Sequence, residues 1–317
     1  MKDSLGARQF VCPIPWALPI AVIHPAYSWR TGTSSPRGIP STQPNTRVIT
    51  WAQPFGRHRR NLTMLNPAKR LREKLASNEM VIGVMAIDHV WPRLVELCQQ
   101  SGLDYLIVDR EHGPHSDELV AQVCQVGRLA DFPVLMRTVS CEMSELRRAV
   151  DLGPCGLILP AVDSIEQLDA ARDALWMPPR GKRRPGGFGN QWLDDFNYET
   201  WRDDFEQYFI VIPQIETKLG LERAADIAVH PLTTALGVGP YDLSAELGCC
   251  WDPEDDIFKT AISTIREAAN SARKKLWMHH AVEITKEDTF LWIGEISGIL
   301  TQQFTDTRAR LQGGSSQ

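Results

Sequence analysis

Short β-type apolar runs alternate with amphipathic helical segments from residue 81 onward. Glycine, proline and small polar residues separate the runs, and the segments between them carry apolar residues at helical spacing. The predicted strands are residues 81–87, 105–109, 133–138, 156–161, 209–216, 234–240, 276–281 and 298–304. Eight such units in about 225 residues predict a TIM (β/α)8 barrel. A doubly wound open sheet is the alternative, but no GxGxxG motif follows the first strand.

Two segments interrupt or end this alternation. Residues 286–297 are predicted as the helix before the eighth strand, and the final helix should be short because little sequence follows Phe304. After the fourth unit comes an insertion rich in Gly, Pro and Arg, residues 178–192. This insertion is either a glycine-hinged lid whose arginines meet a second substrate carboxylate or a solvated basic loop.

The first part of the chain differs from the rest in charge. Residues 1–72 hold eleven Lys and Arg but one acid, Asp3, and carry a net charge of +10, whereas the remainder carries −15. A leader rich in Pro, Ser, Thr, Gly and Arg, without a sustained apolar period, cannot bury enough surface to offset the entropy of ordering. We therefore predict that residues 1–63 are a disordered or non-native N-terminal extension and that residues 64–317 form the barrel domain.

The same composition limits compartment and partners. Three prolines break the apolar stretch of the leader, residues 10–23, which argues against a membrane span. Seven cysteines without a CxxC pair favour a reducing, cytoplasmic location, with a mitochondrial transit peptide as the alternative for the Arg-rich leader. Basic residues concentrate in this leader, where aromatic residues form no stacking platform, so we expect no nucleic-acid partner.

Polar side chains follow several predicted strands at the point where each strand ends. Glu216 ends the fifth strand, and Asp242 comes just after the sixth. Because the carboxyl ends of parallel strands meet on one face of a barrel, we expect these two carboxylates to converge. Further polar residues at strand ends are Asp109, Glu111, His112, Arg137 and Gln214. Any one of them alone could be a helix cap or a solvated residue, but together they predict a site.

An ordered set of motifs carries a resemblance to a known family. The motifs are DREHGP at 109–114, the strand-terminal Arg137, VDLG at 150–153, PQIET at 213–217 and GVGPYDLS at 237–244. Between about Met64 and Gly248 the chain resembles the HpcH/HpaI family of pyruvate-dependent class II aldolases. The resemblance implies a TIM barrel that reversibly cleaves a 4-hydroxy-2-oxo acid to pyruvate and an aldehyde.

The resemblance also implies a cofactor and a substrate site. Glu216 and Asp242 would bind a divalent cation, Mg²⁺, Mn²⁺ or Co²⁺. Gln214, Tyr241 through its backbone, and Asp242 would bind the pyruvate part of a small 2-oxo acid. Two carboxylates leave coordination positions open, which suits a 2-oxo acid that chelates the ion through two oxygens.

Three further residues receive catalytic roles from the resemblance. His112 would transfer the proton, Asp151 would raise its basicity, and Arg137 would stabilise the developing charge. A Schiff-base route to the enolate requires a lysine on a barrel strand. The first four strands contain none, because no lysine lies between Lys74 and Lys182.

Several alternatives stay open at the level of sequence. A related barrel lyase acting on a coenzyme A thioester and a catalytically silent barrel are the other functional readings. In the family a C-terminal helix commonly helps to build a hexamer, so a homo-oligomer, either a trimer or a hexamer, is a possible assembly that a short final helix would weaken. His279 and His280 could also join the site, although we expect at most one to face inward because neighbours on a strand point opposite ways.

Overall fold

A computed structural model describes residues 65–184, 198–250 and 252–313. The predicted N-terminal extension, residues 1–63, lies outside the described residues, as does the insertion from residue 185 to 192.

Within the described chain, eight parallel strands form a closed barrel in sequence order, with β8 returning to pair with β1. The strands are β1 Val81–Ala86, β2 Tyr105–Asp109, β3 Val134–Arg137, β4 Gly156–Leu159, β5 Ile210–Ile215, β6 Ala235–Val238, β7 Lys275–His279 and β8 Phe290–Glu295. The predicted TIM barrel is confirmed, and the open-sheet alternative is excluded by this closure.

Helices cover the outside of the barrel. Those in the described ranges are α1 Leu65–Ala76, α2 Leu94–Gln100, α3 Asp117–Ala130, α4 Met143–Asp151, α5 Ile165–Leu175, α6 Tyr198–Tyr208, α7 Lys218–Glu222, α8 Ala224–Val229, α9 Pro240–Leu247, α10 Asp256–Ser271 and α11 Ile296–Gly313. Polar caps fix where several begin. Ser164, for example, forms a capping box with Gln167 at the start of α5.

Because each strand is covered on its outer face by helices and on its inner face by other side chains, most strands are apolar along their whole length. Every residue of β2, β3, β4, β5 and β6 is buried. The helices instead bury one stripe, such as Phe258, Ala261, Ile262 and Ile265 of α10. This arrangement holds the strand ends rigidly, and the loops that follow them inherit fixed positions.

The eighth strand lies earlier in the chain than we predicted. The segment 286–297 was expected to be a helix, but its apolar core, Phe290–Glu295, is β8, and residues 298–304 lie in α11. Phe290, Leu291 and Trp292 are 0%, 5% and 7% exposed, and β8 pairs with both β7 and β1. Closing the barrel requires this bulky apolar run, whereas the polar residues before it belong to a loop without a helix over 280–289.

The final helix is also longer than predicted. Because β8 ends at Glu295, the following residues are available for α11, which has 18 residues. Its side chains are largely exposed, including Phe304 at 68% and Leu311 at 70%. None of the helices in the described ranges is long and apolar enough to traverse a lipid bilayer.

Candidate active site

The predicted polar residues meet at the carboxyl ends of the strands. Asp109 ends β2, Arg137 ends β3, Glu216 follows β5, and Asp242 lies in the first turn of α9 after β6. Since all these strands are parallel, their ends lie on the same face of the barrel. The structure therefore brings together side chains that are more than one hundred residues apart in sequence.

An ion pair between Asp109 and Arg137 forms the base of this face. The two residues are partners in the β2–β3 register. Arg137 Nε and Nη2 donate to Oδ1 and Oδ2 of Asp109 at 2.7 and 2.8 Å, and Asp109 is fully buried. Burial alone would lower the pKa of Arg137, but the hydrogen bonds and charge of Asp109 reverse the effect and raise it. Arg137 is therefore a permanent, immobilised cation.

Asp109 also shapes the loop after β2. Its carboxylate accepts the backbone N–H groups of Glu111 and His112 at 3.1 and 3.3 Å. With both oxygens used by Arg137 as well, this carboxylate holds the loop and the guanidinium in one arrangement. The position of Glu111 and His112 is thus fixed from the interior of the barrel.

Three further carboxylates repel one another above this pair. Burial, followed by the negative charge of Glu111, raises the pKa of Glu216 to about 7, and Asp242 adds to the effect. The Ala161 N–H, at 2.6 Å from Oε1, and the more distant Arg137 oppose it. Burial also raises the pKa of Glu111. The cluster therefore holds more negative charge than its surroundings neutralise.

Two buried oxygen atoms, one in the carboxylate cluster and one in the neighbouring Gln214, accept no hydrogen bond from the described part of the chain. One is Oε1 of Gln214, whose Nε2 donates to Glu216. The other is Oε2 of Glu111, which lies 3.2 Å from Arg137 Nε but outside hydrogen-bonding geometry. Gly239 makes room for the group, since a Cβ there would lie 2.6 Å from Gln214 Nε2. Unsatisfied oxygens beside repelling carboxylates suit a cationic ligand.

The donor set fits a divalent cation only in part. Among the described residues, no group of three or more His, Cys, Asp and Glu side chains is arranged to hold a metal ion by itself. Glu216 and Asp242 would supply two hard oxygen ligands, which leaves the remaining coordination positions to water and substrate. Such an open site is the kind that a chelating substrate requires.

A cavity of about 880 Å³ opens over these residues. Five predicted site residues line it, namely His112, Arg137, Gln214, Tyr241 and Asp242. Glu216 is 5% exposed and lies against Gln214 rather than in the wall itself. The far wall comes from β7, β8 and the side of α11 that carries Gln302, Gln303 and Asp306.

His112 and Asp151 occupy different surroundings. The His112 side chain is 60% exposed, with Nε2 3.9 Å from Oε2 of Glu111. Asp151, the last residue of α4, instead lies 3.3 Å from Nη2 of Arg183, and it is not among the residues that line the cavity. Within the described part of the chain, no hydrogen bond joins Asp151 to His112.

The described part of the insertion is fastened to neighbouring helices. Arg180 pairs with Asp203 and Glu206 at 2.7 and 2.6 Å, and Lys182 pairs with Asp173 at 2.6 Å. Arg183 is buried against the Phe205 ring. None of these three cations lines the cavity.

An aromatic wall is the part of the site that the sequence did not predict. Trp277 and Trp292 stack with ring centroids 5.7 Å apart, and His279 meets Trp292 edge-on at 4.5 Å. Burial, with the nearby His280, lowers the pKa of His279 to about 4. The expectation that at most one of the two histidines faces inward is wrong: β7 ends at His279, so His280 begins a turn and both line the cavity.

The chain is similar in sequence to proteins of one known family. The family model described as HpcH/HpaI aldolase/citrate lyase matches residues 85–296. The chain is 27% identical over 226 residues to a hydroxypyruvate/pyruvate aldolase of Chromohalobacter salexigens, covering 69% of this chain and 88% of the relative. It is 29% identical over 217 residues to a 2-keto-3-deoxy-L-rhamnonate aldolase of Shigella sonnei, covering 67% and 79%.

The fold has matching solved structures. The crystal structure of an HpcH/HpaI aldolase from Desulfitobacterium hafniense superposes with a TM-score of 0.69 at 24% identity, covering 75% of this chain and 95% of that one. The similarity concerns the fold alone.

Proposed function

Because the chain belongs to the HpcH/HpaI aldolase/citrate lyase family, we propose that it is a divalent-metal-dependent aldolase. It would reversibly cleave a 4-hydroxy-2-oxo acid to pyruvate and an aldehyde. Relatives named as pyruvate and oxo-acid aldolases support a lyase. The observation that carries the proposal is the group of repelling carboxylates at the mouth of the barrel, where the pKa of Glu216 is raised to about 7.

Glu216 and Asp242 would hold the cation. A divalent ion there would polarise the keto group of the substrate and lower the energy of its enolate. Its positive charge would also relieve the repulsion among Glu216, Glu111 and Asp242. This relief would explain why the fold tolerates three acids beside one another and leaves two oxygens without hydrogen bonds from the described residues.

The residues around the cation would orient the 2-oxo acid. Gln214 lies between Glu216 and the cavity, where its amide would contact the pyruvate part. The backbone N–H of Tyr241, at the start of α9, would donate to the substrate carboxylate. Arg137, held by Asp109, would face the oxygen on which enolate charge collects.

Proton transfer would fall to His112. It would accept the proton of the 4-hydroxyl group as the C3–C4 bond breaks, and the electron pair of that bond would pass to the pyruvate enolate while the aldehyde leaves. Return of a proton to C3 completes pyruvate. An imidazole suits this task because its ordinary pKa lies near neutrality. The influence of Asp151 on His112 stays a prediction; its ion pair with Arg183 gives that aspartate a structural contact instead.

Turnover of a panel of 4-hydroxy-2-oxo acids, followed as pyruvate release in the presence of Mg²⁺, Mn²⁺ or Co²⁺, tests the proposal. Glu216→Gln should abolish turnover while the protein stays folded, because one hard anionic ligand is lost. Glu222→Gln, an exposed glutamate in α7, is the matched control and should retain activity. Full activity in Glu216→Gln would refute the assignment, and turnover confined to an acyl-coenzyme A thioester would favour the alternative lyase.

A further inference from the structure

A second cavity, of about 870 Å³, lies at the other end of the barrel. Thr234 and Thr289, which immediately precede β6 and β8, and Lys275, the first residue of β7, line it. These positions are the amino ends of the strands, whereas the carboxylate cluster lies at their carboxyl ends. The two cavities are therefore separated by the length of the barrel core.

Cations dominate the wall of this second cavity. They come from α1 and from the segments around β7, and they are Arg72, Arg273, Lys274, Lys275 and Lys286. Within the described chain, none of the five forms an ion pair, whereas Lys74, Arg110 and Arg266 do. The one side-chain hydrogen bond seen among them runs from Lys274 Nζ to the carbonyl oxygen of Thr233 at 2.7 Å.

Three carboxylates also line the cavity, but they are fewer than the five cations. Asp288 accepts from Arg266 at 3.1 and 3.2 Å, and Glu287 accepts from Asn270 at 3.2 Å. Glu73 is exposed at the edge. Arg266 thus compensates Asp288, whereas Glu287 and Glu73 keep their charges, so five cations face two uncompensated carboxylates and the wall has an excess of positive charge.

Arg72 and Lys274 are two of the three partly buried members of the group, and Lys275 is the third. Burial lowers the pKa of Arg72 and of Lys274, and the charge of Arg72 lowers that of Lys274 further. Both side chains line the same cavity, and neither pairs with a carboxylate in the described part of the chain. An arrangement of this kind costs free energy in the folded protein unless an anion is bound.

We propose that this cavity binds a small anion with two or more phosphate groups, held between Arg72 and Lys274. Its volume falls within the range of small-molecule sites and exceeds what inorganic phosphate alone would fill. Guanidinium and ammonium groups together suit phosphate oxygens, which accept several charge-assisted hydrogen bonds at once. The bound anion would connect α1 to the start of β7 and would stabilise the barrel from the end opposite to its chemistry.

Titration of the full chain with pyrophosphate, by calorimetry and by thermal unfolding, tests this site. Binding should be one to one, and at saturation it should raise Tm by roughly 5 °C. Arg72→Gln/Lys274→Gln should weaken binding by at least about tenfold, because two charge-assisted contacts are lost. Arg93→Gln/Lys259→Gln changes the net charge equally at an exposed and a half-buried position outside this cavity and should bind as the unmodified protein does.

Undiminished binding in the Arg72→Gln/Lys274→Gln protein would overturn the proposal, since the anion would then occupy another site. Equal affinity for citrate would overturn the preference for phosphate. If the double variant does not fold, Lys274→Gln alone replaces it; a threefold or greater loss of affinity supports the site, and a smaller loss refutes it.

Discussion

Replacing Asp109 with asparagine should destabilise the protein more than any comparable change at the surface. The carboxylate is fully buried, and it accepts both donors of Arg137 at 2.7 and 2.8 Å as well as two backbone N–H groups. The neutral amide of Asp109→Asn would remove the hydrogen-bonded counter-charge of Arg137, a residue that is 7% exposed, and would leave only Glu111, 3.2 Å from Nε and outside hydrogen-bonding geometry. Breaking a buried pair in this way costs about 3–5 kcal/mol, which corresponds to a fall in Tm of roughly 6–20 °C for a domain of this size.

Thermal unfolding followed by circular dichroism measures this cost. The matched control is Asp203→Asn, because Asp203 also accepts from two arginines, at 2.7 and 2.9 Å, but its side chain is 58% exposed. Water replaces the lost contacts at that position, so Tm should change by no more than about 1 °C. Equal Tm values for the two variants would show that the Asp109–Arg137 pair does not hold the site together.

Three other perturbations test separate parts of the structure. In metal-free protein, Tm should fall as pH rises from about 5 to 7, because the pKa of Glu216 in the folded protein is about 7, above its unfolded value, and its contribution to stability is lost on ionisation. Glu216→Gln should flatten this dependence of Tm on pH. An unchanged slope in the variant would contradict the raised pKa. Gly239→Ala should abolish pyruvate release, because the added Cβ would clash with the side chains of Gln214 and Glu216. Gly298→Ala is the control and should stay active, because the nearest atom to its Cβ would be at 3.4 Å. An active Gly239→Ala enzyme would show that the reaction takes place elsewhere. Tyr105→Phe should lower the free energy of unfolding, measured in urea, by about 2–3 kcal/mol. The hydroxyl donates to the Leu291 carbonyl at 2.6 Å and accepts from Trp277 at 3.0 Å inside the barrel, and both hydrogen bonds would be lost. A loss below about 0.5 kcal/mol would show that these two hydrogen bonds do not stabilise β8.

Hydrophobic periodicity was sufficient to predict the barrel, but it did not show which residues of the last β/α unit form the strand and which form the helix. Apolar runs such as 209–216 are long, continuous and bounded by turn residues, and the structure confirms them as strands. Around β8 the apolar run is preceded by charged residues and followed by more apolar ones, so strand and helix periods overlap there. Only closure against β1, a contact about 200 residues away in sequence, decides between them.

The strand-end rule located most of the candidate site, since five predicted residues line one cavity. The rule could not predict which of these side chains form ion pairs with each other. Asp109 and Glu111 are both recognisable as acids at the end of β2, but burial and geometry decide that Arg137 donates two hydrogen bonds to Asp109 and none to Glu111. The ion pair of Asp151 with Arg183 is likewise tertiary, because it joins α4 to a segment 32 residues later. The aromatic wall gave no sequence signal, since tryptophan in a strand is ordinarily a core residue.

The register between β2 and β3 couples folding of the barrel to formation of the candidate site at the carboxyl ends of its strands. Asp109 and Arg137 meet because they are opposite each other in one ladder, and a slip of a single residue would turn one of them toward the helices. A misaligned barrel would thus lose its permanent cation and bury an unpaired acid at the same time. Insertions or deletions within either strand should therefore give proteins that fail to fold, rather than folded proteins that have merely lost turnover.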